Sequence, residues 1–78
     1  MFKELDIVVL RKDDPTHRLQ SGDVGTVVGI YPRGGYEVEF TGAEGDTIAV
    51  LTLADTDLRP MGRREILHVR DVDNVLSS

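Results

Sequence analysis

The chain contains no cysteine and no tryptophan, and no apolar run approaches the ~18 residues that a membrane-spanning helix needs. Without cysteine, neither a disulfide framework nor a thiolate metal site can brace so short a polypeptide. Phe2, Phe40, Tyr31 and Tyr36 are its aromatic residues, so Val, Leu and Ile have to fill the core. Positive charge is scarce as well: nine Lys and Arg stand against fourteen Asp and Glu, a formal charge of −5 in 78 residues. A basic nucleic-acid binder carries the opposite sign, and a membrane-surface protein needs a cationic amphipathic stretch. A disordered tail lacks the 40% hydrophobic content present here. Residues 61–78 hold acidic and basic groups in equal number, so the acidity belongs wholly to residues 1–60. Met1-Phe2-Lys3-Glu4-Leu5-Asp6 offers no long apolar region and no small-residue cleavage site. It is therefore not expected to be a signal peptide, and a cytoplasmic location is the expectation. At 8.6 kDa there is room for one small domain, which buries only roughly 60–65% of its unfolded surface.

What is present is a series of short β-branched runs separated by turn residues. Ile7-Val8-Val9-Leu10 ends at Arg11-Lys12-Asp13-Asp14 and Pro15. Val24 to Tyr31 follows, with Val24, Thr26, Val28 and Ile30 expected on one face and Val27 and Tyr31 on the other. Gly29 within it suggests a bend or a close backbone approach. After the turn Pro32-Arg33-Gly34-Gly35, the segment Tyr36-Glu37-Val38-Glu39-Phe40 alternates without error, which places Tyr36, Val38 and Phe40 inward and both glutamates outward. Gly42-Ala43-Glu44-Gly45-Asp46 makes the next turn. In Thr47 to Leu53 both faces are apolar, which predicts a strand covered on both sides. Ala54-Asp55-Thr56-Asp57 suits a single helical turn, and Leu58-Arg59 a short closing strand stopped by Pro60. This spacing points to a small all-β barrel and not to βαβ units. Past Pro60, Ile66, Val69, Val72 and Leu76 would also suit a helical stripe. The β-branched content favours a strand over Glu65–Arg70, with a frayed end at Asn74–Ser78.

Gly22-Asp23-Val24-Gly25-Thr26-Val27-Val28 resembles the opening of an SH3-like barrel. Gly22 is free to take a positive φ, Asp23 can bond a neighbouring amide, and Gly25 allows a tight bend against another backbone. With its flanks the likeness is closer. Leu5 to Leu10, Asp13-Asp14-Pro15, Leu19, Tyr36 to Phe40, Gly45, Thr47 to Leu53 and Leu58-Arg59-Pro60 occur in an order that resembles the small bacterial and archaeal proteins of domain-of-unknown-function family 4926. The resemblance spans about residues 2–60, and Ile66-Leu67-His68-Val69-Arg70 is similar to an extension found in part of the family. It implies a free-standing SH3-like barrel of five strands over residues 1–60. Residues 61–78 form a C-terminal extension, expected as a sixth strand that packs on the barrel or on a second copy. It carries over no catalytic residue, and some members lie beside other small proteins, which hints at a partner encoded nearby.

The side chains able to carry chemistry do not assemble into a catalytic pattern. His17 and His68, far apart and without cysteines, fall short of the three or four converging ligands of zinc, and the acidic residues miss the calcium-loop spacing. No serine or threonine has a partnered base. Gly34-Gly35 and the Gly22/Gly25 pair lack the following helix of a phosphate cradle. No catalytic residue, metal site or cofactor is expected. Glu37 and Glu39, about 7 Å apart on one strand face, suit a solvated face or an acidic docking strip. Tyr31 and Arg33 form an exposed aromatic-basic pair on one hairpin, of the kind that stacks on a proline or a base. Asp13, Asp14 and His17 sit in the loop after the first strand, a place where SH3-like barrels contact ligands. Asp6, Gly22, Asp23 and Gly25 are expected to be structural turn residues.

These features favour a small non-catalytic interaction module that binds another protein through an acidic barrel face. The partner-binding candidates are Asp13, Asp14, His17, Tyr31, Arg33, Glu37 and Glu39. The alternatives are a nucleic-acid-binding SH3-like module, disfavoured because only Arg11-Lys12 and Arg63-Arg64 cluster positive charge, and an accessory subunit of a larger enzyme. No membrane contact is expected, and pairing of two copies through the extension is a further expectation.

Overall fold

The computed structural model describes residues 1–72. The chain forms β1 (Ile7–Leu10), β2 (Val24–Ile30), β3 (Tyr36–Thr41), β4 (Thr47–Leu53) and β5 (Leu58–Pro60). They make one open, antiparallel sheet in the order β4-β3-β2-β1-β5. Short 3-10 turns at Pro15–His17 and Asp55–Asp57 are its helical elements. Among the described residues, no helix is long and apolar enough to cross a membrane.

Residues directly opposite in an antiparallel ladder share a face, so the register fixes the core. Val38 faces Val27 on one side and Leu51 on the other, Tyr36 faces Leu53, and Leu10 faces Leu58. All are buried, together with Val8 and Phe40. The last apolar contribution comes from the loop between β1 and β2. There Asp14 and Leu19 exchange backbone hydrogen bonds at 2.8 and 2.9 Å, closing a small hairpin that drives Leu19 into the core. Phe2 closes the opposite side, its ring edge-on to Tyr36 at 5.2 Å and its N–H donating to the Tyr36 hydroxyl at 3.2 Å. Among the described residues the core contains no polar side chain apart from that tyrosine.

Four expectations need correction. First, the β2 faces do not persist along the strand. A bulge between Val27 and Gly29 inserts an extra residue, so Thr26 lies opposite outward Glu39 while Ile30 lies opposite inward Tyr36. Val28 and Ile30 are left exposed. Second, β4 is not covered on both sides. It is an edge strand whose Leu51 and Leu53 are buried while Val50 remains 44% exposed. Third, Gly25 is needed against side chains and not against another backbone. A Cβ there would lie 2.7 Å from Val38 Cγ1 and 2.9 Å from the Phe40 ring. Fourth, Glu65–Arg70 forms no strand. Residues 61–72 have no ladder partner among the described residues and run irregularly over the sheet. Val9, which points away from the core, is nevertheless buried and lines an open hollow that Met61, Ile66 and Leu67 of this segment also line. The frayed end expected at Asn74–Ser78 lies outside the described residues.

Candidate functional site

One local device recurs throughout the surface. Asp6 accepts the Lys3 N–H at 2.9 Å, Asp23 the Gln20 N–H at 2.9 Å, and Asp57 the Ala54 N–H at 3.0 Å. In each case the aspartate's own N–H bonds back to the carbonyl of the same upstream residue. The result is a four-residue turn closed twice, and the next residue starts β1, β2 or β5. Glu65 makes the same arrangement with Gly62. Gly22 meets the turn requirement with φ +99°, a conformation costly for any residue bearing a Cβ.

The partner-binding candidates fall into two groups. In the loop, Asp14 caps the 3-10 turn by accepting the His17 N–H at 3.3 Å, and its carboxylate lies 3.1 Å from His17 Nδ1. Asp13 is turned the other way, taking the Ser21 N–H at 2.9 Å. On β3, Glu37 accepts the Tyr31 hydroxyl at 2.8 Å and Glu39 the Thr47 hydroxyl at 2.5 Å. Thr47 links the groups, because it also lines an open hollow of about 390 Å³ with Thr16 and His17. Arg33 projects exposed from the β2–β3 turn. Among the described residues, no three His, Asp or Glu side chains gather as metal ligands would.

The residue that sequence reasoning missed is Arg70. Its Nε donates to Asp23 Oδ1 at 2.8 Å, one terminal nitrogen donates to Asp23 Oδ2, and that nitrogen also reaches the Arg18 carbonyl at 3.0 Å. The pair is part-buried, with side chains 28% and 17% exposed. The Asp23 carboxylate holds the Arg70 guanidinium even further above neutrality than usual. No periodicity could disclose this contact, since its partners lie far apart in sequence and belong to different elements. Nearer the chain's middle, Asp57 is held below the ordinary carboxylate range by the Ala54 N–H, with help from Lys12 at 3.0 Å. Glu65 is lowered by Arg59, 2.8 Å away, and by the Gly62 N–H.

Residues 4–60 match the family described as Domain of unknown function (DUF4926). The chain belongs to that family. The matched stretch holds all five strands and Asp23, whereas Arg70 lies beyond it. No curated protein and no solved structure matches the chain.

Proposed function

We propose that this DUF4926 chain is a non-catalytic interaction module, built as an SH3-like barrel, that binds a basic surface of another protein. The sheet order, with β5 returning beside β1, supports the barrel reading. The observation that carries the function is the outer face of β3. Glu37 and Glu39 project from it with their carboxylates already oriented by the Tyr31 and Thr47 hydroxyls, next to half-exposed Val50 across the ladder from Glu39. Side chains ordered before contact lose less entropy on binding, and paired carboxylates favour lysine or arginine across an interface. The Asp14–His17 pair extends this surface past Thr47.

The test is affinity purification of the tagged chain from its native host, beside the Glu37→Lys/Glu39→Lys variant. A stoichiometric protein recovered with the first and lost with the second, at unchanged thermal stability, supports the reading. Recovery of no protein overturns it, and a salt-sensitive gel shift with RNA at micromolar protein would replace it with nucleic-acid binding.

A further inference from the structure

Arg70 is seated on the sheet as a bound ligand would be. Its guanidinium fork spans both oxygens of Asp23 and reaches the Arg18 carbonyl, while the hydrophobic residues around it are not buried. Ile66 is 85%, Leu67 60% and Val69 98% exposed. Beneath residues 67–72 an open hollow of about 410 Å³ remains among the described residues, its floor formed by half-buried Val24 and Ile48 with the core residues Leu19 and Phe40 behind them. Among the described residues, the hydrogen bonds that tie residues 66–72 to the rest of the fold are those of Arg70, while Glu65 just before them is held by Arg59 and Gly62.

We propose that Asp23, the Arg18 carbonyl and this floor form a docking seat for an extended, arginine-bearing peptide segment with aliphatic neighbours, and that Ile66–Arg70 occupies the seat as a built-in competitor. This rests on the protein-binding reading above and names the partner's chemistry. Arginine is favoured over lysine, because two carboxylate oxygens and a carbonyl match a planar fork better than a point charge. An aliphatic residue beside the arginine would fill the hollow that Val69 leaves open. A tethered segment competes at an effective concentration in the millimolar range, so an outside peptide binds weakly until the chain's own arginine is removed.

The experiment is fluorescence anisotropy with a labelled peptide of the sequence of residues 63–72, titrated with the full chain. Arg70→Ala should bind it at least about tenfold more tightly than the wild type, the scale of a charged hydrogen bond. Adding Asp23→Asn, which keeps an oxygen for the Gln20 N–H, should abolish that gain. Lysine in place of arginine within the peptide should cost roughly tenfold on Arg70→Ala, a comparison that leaves the protein untouched. Equal affinity of wild type and Arg70→Ala, or indifference to the lysine peptide, overturns the seat. If the seat fails while affinity purification still recovers a partner, the interaction reading stands without it. Peptide binding with no partner recovered assigns the seat to the segment of a second copy and removes the reading above.

Discussion

Asp6, Asp23 and Asp57 act alike at three strand starts, each carboxylate satisfying a backbone N–H that the turn leaves without a ladder partner. Losing such an acceptor costs about 1 kcal/mol in a turn, more where a second charged partner is stranded. Asp23→Ala is therefore expected to lower stability by about 1–2 kcal/mol, measured by urea unfolding, because it frees the Gln20 N–H and Arg70 together. Gly25→Ala should cost about 1–3 kcal/mol, since its methyl would press on Val38 and Phe40; an unchanged unfolding midpoint would contradict that packing. Gly22 and the turn-closing part of Asp23 were legible in sequence because that work is local, whereas the bond from Asp23 to Arg70 was not. The reason for Gly25 was not, because the atoms that exclude a Cβ arrive from β3.

Elements were readable where one periodicity governed them. β3 alternates cleanly and folds as its pattern dictates. β2 looks equally regular, yet its bulge exchanges the faces partway along, and no residue type other than Gly29 announces it. The two apolar faces of β4 suggest a strand covered on both sides, but the face that carries Val50 is left half-exposed. The glutamates of β3 were located by alternation, whereas their hydroxyl partners depend on the neighbouring strand and turn. At the other end of the sheet, the 3-10 turn before β5 depends on ionised Asp57. Its folded pKa is depressed, so its contribution is complete above the ordinary aspartate value near ~3.9 and disappears as pH falls through the lower folded value. Thermal stability should therefore decline below about pH 4, and Asp57→Asn should flatten part of that decline. An identical pH profile for the two proteins would exclude the role.

A single core serves the entire molecule, which leaves little reserve. For a chain of this length total stability is about 4–12 kcal/mol, and Phe40→Ala should remove about 3–5 kcal/mol of it. A drop in Tm of at least ~15 °C by circular dichroism is expected. Composition alone located the net charge in residues 1–60, and the structure divides those carboxylates between turn-locking and outward display. Composition could not foresee that the neutral extension would send Arg70 back onto the turn before β2. Nothing in a strand-like pattern indicates a single long-range ion pair.

That return path has a mechanical consequence. Tension applied to the chain beyond Val72 meets the Arg70–Asp23 pair before it reaches β5, whose short ladder with β1 would otherwise be the first to shear. When the pair gives way, the stretch between Glu65 and Arg70 can extend to at most ~18 Å, at ~3.3–3.6 Å per residue, before the Glu65–Arg59 pair takes the load. β5 then experiences a pull only after this fuse has opened.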